Sequence, residues 1–395
     1  MVHHTIATST TSASRASSRM SSMRRFWRVA GIVGILAGCA STPLPPDLPS
    51  APSAVAPTDE VPSGPAIVQG RSRWVPVRWS DLPGFEADAL HEAWNAWLRS
   101  CERPPAAWVA LCPQVRRLSI ASADEQRAWM REKLQPYRVE PLQGGAAEGL
   151  LTGYYEPVLE ASRQPGPQFV APLFRPPATL ASRKPWYTRQ EIDTLPEPRS
   201  QLRGREIAWL ADPLDALVLQ IQGSGRLRVT EADGSVRLVR VAYAGSNEQP
   251  YRSVGGWLLQ QGAIRDASWP GIKAWARDNP QRLNDLLWSN PRVVFFREEP
   301  LAEADVGGPR GAQGVPLTAG RSIAVDKDSI PYGTPVWLAS SGPVTTLQRL
   351  VLAQDTGSAI VGAVRADYFA GSGAEAGDIA GRLKQPLRLW ALWPR

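Results

Sequence analysis

Hydrophobic periodicity divides the chain into a helical opening and a longer strand-rich remainder. Residues 84–100 place Leu90, Trp94 and Trp97 on one helical face and predict an amphipathic helix. Ser122-Ala123-Asp124-Glu125 is a capping box that opens a second helix, which Pro136 ends. Strand patterns follow. Residues 149–157 read as a strand with glycine breaks, and 217–222 as another, followed by Gly223-Ser224-Gly225. Residues 227–229 and 236–241 alternate around Asp233-Gly234, a hairpin signal. Residues 257–264 and 272–278 read as short helices, and Asn290-Pro291 marks a boundary. Short strands are then expected at 293–296, 323–325, 335–338, 349–353 and 388–392, with Gly and Pro turns that predict a small barrel.

The first 38 positions follow another pattern. Arg24, Arg25 and Arg28 precede a short apolar run ending in Leu36-Ala37-Gly38-Cys39. Basic start, apolar stretch and small-residue cleavage site predict a secretory signal peptide over 1–38. The run is shorter than the ~20 residues of a membrane-spanning helix. Leu-Ala-Gly-Cys resembles the lipobox of bacterial lipoproteins, which implies cleavage before Cys39 and lipid on its thiol. Ala40 and Ser41, with no aspartate, resemble an outer-membrane sorting signal. Residues 39–74 are rich in Pro, Ala and Ser and read as a disordered tether, so the folded part is expected from about Val75. Its length of about 320 residues predicts more than one domain.

Composition narrows the chemistry. In an exported chain the remaining cysteines, Cys101 and Cys112, suggest one disulfide, two free buried thiols being the alternative. The net charge is +7, but residues 1–38 hold five arginines and no acid, which leaves +2 for the rest. That is no nucleic-acid footprint. Of the three histidines, His3 and His4 fall in the signal and His91 lies in a helical pattern. A His-rich zinc site is excluded, and a Ser-His-Asp triad has only His91 to draw on. No phosphate-binding Gly-rich loop occurs. Carboxylates or tyrosines must therefore carry any catalysis. Sixteen tryptophans fit sugar stacking, although such side chains more often fill cores.

Three aspartates stand in separate strand-and-turn segments: Asp326 in 324–334, Asp355 in 353–360 and Asp367 in 365–369. A strand end before a Gly-rich turn aims a side chain well. Each aspartate alone fits turn capping at least as well.

Together these segments resemble the three-aspartate domain of the membrane-bound lytic murein transglycosylase A family. Upstream, Thr152-Gly153-Tyr154-Tyr155-Glu156-Pro157, Gln220-Ile221-Gln222-Gly223-Ser224-Gly225, Tyr243-Ala244-Gly245-Ser246-Asn247 with Tyr251, and Asn290-Pro291-Arg292 extend the resemblance. Downstream, 371–377 and 380–382 continue it, so that it covers roughly 85–393 in the family's order. The resemblance implies a mainly β fold: a double-psi β-barrel domain, a second inserted β-domain, a groove between them and a few peripheral helices. The barrel would take residues 75–155, with the N-terminal helices, and 292–395, with the aspartates; 156–291 would form the insertion.

The resemblance also implies a peptidoglycan lytic exotransglycosylase, with endo action the open alternative, needing no metal or other cofactor. It would cut the β-1,4 bond between N-acetylmuramic acid and N-acetylglucosamine and leave a 1,6-anhydro end. An ordinary glycosidase needs two carboxyl groups. Here the sugar's own C6 hydroxyl attacks its anomeric carbon, so one residue can protonate the leaving oxygen and then deprotonate that hydroxyl. That role falls on Asp367, with Asp355 beside it to orient it or raise its pKa, and Asp326 as the third aspartate. Implied glycan contacts are Thr152, Gly153, Tyr154, Gln222, Gly223, Ser224, Tyr243 and Asn247; Tyr155 fits contact or core equally. Implied partners are peptidoglycan glycan strands, the membrane through the lipid on Cys39, and wall-synthesis proteins, but no nucleic acid. The implied location is the outer membrane, facing the periplasm of a Gram-negative envelope.

Two rivals remain at this stage. Asp355-Thr356-Gly357 resembles the aspartic-protease motif, but that mechanism needs two such aspartates and the chain has one motif. A barrel that binds wall glycan without cutting it is the non-enzymatic reading.

Overall fold

The described residues, 62, 64–301 and 307–395 of a computed structural model, contain two β-sheets and ten α-helices. The expected signal, Cys39 and most of the expected tether lie outside them. In chain order the strands are β1 (Ile67–Gln69), β2 (Ser72–Pro76), β3 (Leu134–Pro141) and β4 (Gly149–Glu156). Next come β5 (Val158–Ser162), β6 (Ala171–Phe174), β7 (Glu206–Leu210), β8 (Ser224–Thr230), β9 (Val236–Ser246) and β10 (Val294–Pro300). The last five are β11 (Ser322–Val325), β12 (Pro335–Ser341), β13 (Thr346–Asp355), β14 (Arg365–Ser372) and β15 (Lys384–Pro394).

Closure makes the larger sheet a barrel. Its order is β1-β2-β3-β15-β12-β13-β11-β14-β4, and β15 also pairs with β4. The start of β15 meets β4 (Lys384↔Thr152) and its middle meets β12 (Trp337↔Trp390), so six strands form a ring without free edges. Two pairs are parallel, β11–β13 and β14–β4. The expected barrel strands from 323 onward all fall in this ring. The smaller sheet, β10-β9-β8-β5-β7-β6, is the inserted β-domain.

Local sequence explains most elements. Ser122 accepts the Glu125 N–H while Glu125 accepts the Ser122 N–H, and the helix Ala123–Lys133 follows. Helix Leu90–Ser100 buries Leu90, Trp94 and Trp97 and leaves His91 exposed. Its tryptophans join Trp79, Trp108, Trp129, Trp337 and Trp390 in one core cluster. Most of the tryptophans are therefore core, and among those lining the groove described below is Trp269. Cys101 and Cys112 are disulfide-bonded, tying this helix to Cys112–Arg117.

Three expectations are corrected. Residues 217–222 are not a strand but the end of helix Pro213–Gln222. Asp212 caps that helix and Gly223, at φ +81°, ends it in the left-handed region that favours glycine. Leu214 and Leu217 enter one core cluster while Ala216 and Leu219 enter another. A helix buried on two sides reads as a continuous apolar run, which is the ambiguity of short strands. Second, residues 294–296 do not belong to the barrel: β10 pairs with β9, so the inserted sheet runs past 291 to Pro300. Val294 and Phe296 face the insert's core, and the Asn290-Pro291 turn precedes that last strand rather than ending the domain. Third, β1 and the first half of β2 lie within the expected tether. Fully buried Trp74 donates to the Ser329 carbonyl (3.2 Å), as does Ser72 Oγ (2.8 Å). The Pro- and Ser-rich composition around them hides their short alternation.

Glu156 joins the two sheets. It ends β4, is fully buried, and meets Arg226 Nε of β8 (2.7 Å), Arg240 Nε of β9 (2.6 Å) and Ser372 Oγ of β14 (2.7 Å).

Candidate active site

Register alone assembles the site. Ala324 of β11 is the partner of Asp355 on β13 and of Asp367 on β14, and Asp367 in turn pairs with Thr152 of β4. Paired residues share a face, so both carboxylates and the threonine form one row. Ala324 keeps the place between the carboxylates small. With strands about 4.8 Å apart, the two aspartate Cα atoms stand roughly 10 Å apart. A register shift before Ala324 re-aims the row at this point.

The row opens into a groove between the barrel and the inserted sheet. Asp355 and Tyr154 line a cavity of about 570 Å³. Asp367, Thr152 and Gly153 line an adjoining one of about 430 Å³. Both share Gln220, Gln222, Arg292 and Val294 of the insertion and Gly357 of the barrel.

Asp367 Oδ1 accepts a 2.6 Å hydrogen bond from Thr152 Oγ1, which accepts one from Arg365 Nη2 (2.8 Å). A hydroxyl has one proton; the arginine occupies a lone pair, so that proton goes to Asp367. Oδ2 has no hydrogen-bond partner among the described residues. Burial raises the Asp367 pKa above the ordinary carboxylate range, opposed by the Thr152 hydrogen bond and the Arg365 charge. Asp355 accepts from Tyr154 Oη (3.0 Å) and the Ala312 N–H (2.9 Å). Burial pushes its pKa up to about 6 despite those donors, with a minor contribution from the Asp367 charge. Burial, then the two aspartates, hold the Tyr154 pKa well above its usual value.

Several expected residues sit elsewhere or act indirectly. Asp326 does not join the row into the groove. Its buried carboxylate accepts from the Asp328 N–H (3.0 Å) and the Gly362 N–H (2.8 Å), the capping role open to any such aspartate. Asn247, expected at the glycan, is 0% exposed. Its amide donates to the Tyr187 and Pro291 carbonyls and accepts from the Val293 N–H, so it ties loops together and presents nothing to the groove. Gln222, Gly223, Ser224 and Tyr243 line the larger cavity. Gln222 Oε1 also accepts the Tyr155 N–H (3.0 Å), linking insertion to barrel. A Cβ on Gly153 would stand 2.7 Å from Ala380 Cα, so glycine there lets helix Ala374–Arg382 close on β4. Tyr155 lines the smaller cavity and packs over Gly377. The carboxylate nearest in role to Asp355 is Asp367, set in Ala366-Asp367-Tyr368, which is no second protease motif.

Sequence reasoning missed Arg365 and Ala312. Arg365 was findable: two positions before Asp367 in a strand, it shares that face. Ala312 lies in a loop without a sequence signal. Among the described residues no group of three or more His, Cys, Asp or Glu is arranged to hold a metal.

Comparison with known proteins agrees with this architecture. The family model for the MltA specific insert domain matches residues 150–297, and that for the 3D domain matches 321–393. A membrane-bound lytic murein transglycosylase A of Vibrio cholerae is 33% identical over 263 residues, 64% of this chain and 67% of that protein. A lytic transglycosylase structure from Burkholderia pseudomallei is 45% identical with TM-score 0.57, covering 85% of this chain and 100% of its own. The MltA structure from Neisseria gonorrhoeae is 29% identical with TM-score 0.69, covering 85% and 97%. Fold, groove and matched domains define a barrel protein of the lytic transglycosylase class. The chain belongs to the membrane-bound lytic murein transglycosylase A family.

Proposed function

We propose that this protein cleaves the β-1,4 bond between N-acetylmuramic acid and N-acetylglucosamine in peptidoglycan and leaves 1,6-anhydro-N-acetylmuramic acid ends. The observation that carries the reading is Asp367: a carboxyl in the groove, raised in pKa by burial, with one oxygen held by Thr152 and the other open. Family membership supports murein as the substrate, since the relatives bear that name.

Asp367 begins protonated and gives its proton to the glycosidic oxygen as the C1–O bond breaks. The C6 hydroxyl oxygen then bonds to C1, and its proton passes to the Asp367 carboxylate. No water enters and the residue ends as it began. Burial favours the acid form that starts the cycle, and Thr152 with Arg365 favours the carboxylate formed within it. Asp355 makes no hydrogen bond to Asp367 among the described residues, and it is burial that raises the Asp367 pKa. The expected orienting or pKa-raising role of Asp355 is replaced by a proposed electrostatic one: mostly ionised above pH 6, it favours the positive charge that builds on the sugar.

Mass spectrometry of digested sacculi tests this. The protein is expected to release anhydro-muropeptides, and Asp367→Asn to lose ~10²-fold or more in rate. Reducing muramic acid ends, or full activity in the variant, would overturn it.

The same reading extends to location: an outer-membrane lipoprotein held by lipid on Cys39. Leu36-Ala37-Gly38-Cys39 supports it, and among the described residues no helix is long and apolar enough to cross a membrane.

A further inference from the structure

The charged lining of the groove is lopsided. The cavity beside Asp355 is lined by Arg103, Arg292, Arg297 and Arg310, and among the described residues Asp355 is its one acid. Arg297 is held by Glu299 (2.7 Å). The other three have no carboxylate within salt-bridge distance among the described residues. Arg292 spends one N–H on the Gln249 carbonyl (3.0 Å) and Arg310 one on the Gly314 carbonyl (3.1 Å), out of five donors on each guanidinium. Arg103 packs against Gly314, on the same loop as Arg310, while Arg292 lines the cavity from the insertion, in the segment just before β10. Donors thus face the cavity from both walls. The reaction described above uses none of them.

A polysaccharide of N-acetylated sugars alone is neutral and has no use for such a lining. Guanidinium groups match carboxylates, which they bind with two parallel hydrogen bonds. We propose that the Asp355 end of the groove is a subsite for a carboxylate carried by the glycan strand. This rests on peptidoglycan being the substrate. Two sources offer the same chemistry. On a strand stripped of peptide, the lactyl ether of muramic acid carries a free carboxylate. On a peptide-bearing strand that group is an amide, and the peptide brings carboxylates of its own.

Titration calorimetry on the full chain carrying Asp367→Asn, which holds glycan uncut, separates the cases. The probes are a chito-oligosaccharide with no carboxylate, a peptide-stripped murein strand and a peptide-bearing one. Adding Arg103→Gln and Arg310→Gln, both exposed positions, is expected to cost roughly tenfold in affinity for a carboxylated strand and to leave the chito-oligosaccharide unchanged. Loss on the stripped strand assigns the lactyl group, and loss confined to the peptide-bearing strand assigns the peptide. The corresponding Lys variants are expected to recover part of the loss. Equal loss on all three probes, no loss on either murein strand, or no binding at all would overturn the subsite. Release of anhydro products by the unmodified protein is read separately, so failure of the subsite is distinct from failure of the proposed reaction.

Discussion

At Thr152 one hydroxyl bears on the carboxyl proposed to react, opposing the effect of burial on Asp367. Thr152→Val keeps the shape and deletes the donor to Asp367. That hydrogen bond lowers the Asp367 pKa, so its loss raises it. The acid form then survives to higher pH, and the basic limb of the kcat/KM profile for anhydro release is expected to move upward, while Thr152→Ser leaves it in place. An unmoved limb would mean that Thr152 only fills space. Asp355 gives a stability prediction. Its folded pKa of about 6 lies above the ordinary carboxylate value, so the folded state holds its proton more tightly than the unfolded chain does. Stability from this group is fully present below about pH 4 and declines as pH rises through 6. Asp355→Asn avoids the decline: its oxygen can accept the Ala312 N–H and its nitrogen can donate to Tyr154 Oη. Thermal melts should favour the variant by roughly 1 kcal/mol at pH 7.5 and not at pH 4.

Among elements, the junction of β4 with β8 and β9 decides how the groove is held. Glu156 places a fully buried carboxylate against Arg226 and Arg240. Glu156→Gln keeps the size and removes the charge facing both arginines. Breaking such a buried pair costs about 3 kcal/mol. Hydrogen exchange is expected to quicken in β8 and β9 first, with barrel strands β11 to β13 retaining protection. Uniform loss across both sheets would show that Glu156 supports the fold generally and not this junction. Helix Pro213–Gln222 belongs to the same junction, since Gln222 reaches the Tyr155 N–H. Its apolar run looked like a strand because helix burial on two sides leaves no polar stripe to reveal the period of 3.6.

For the whole molecule, the barrel positions Asp367, the proposed acid, the insertion supplies the opposite wall, and Cys39 is proposed to keep both at the membrane. Cys39→Ser should move the protein from the membrane fraction to the soluble periplasmic fraction with activity on purified sacculi unchanged. Retention of the variant in membranes would argue against a lipid on that residue.

Much of this was readable before any coordinates. Alternation and capping located four of the five barrel strands after 320, all but β14, and the helices at 90 and 123, because these signals are local. The aspartate segments were legible as a set, and resemblance singled out Asp367 among them as the proposed acid. What the chain alone left open depended on contacts distant in sequence. Asp326 and Asp367 both stand in strand-and-turn settings, yet only pairing with β4 gives Asp367 its threonine, while Asp326 turns inward to cap two loops. Asn247 carries the same polar amide as any sugar-binding residue, and only burial between 187 and 291–293 spends it on backbone groups. Arginines from positions 103, 292 and 310 meet at one cavity because the barrel closes and the insertion folds over it. Residue type and spacing determined what each segment could do; strand register and burial decided which polar groups remain free to do it.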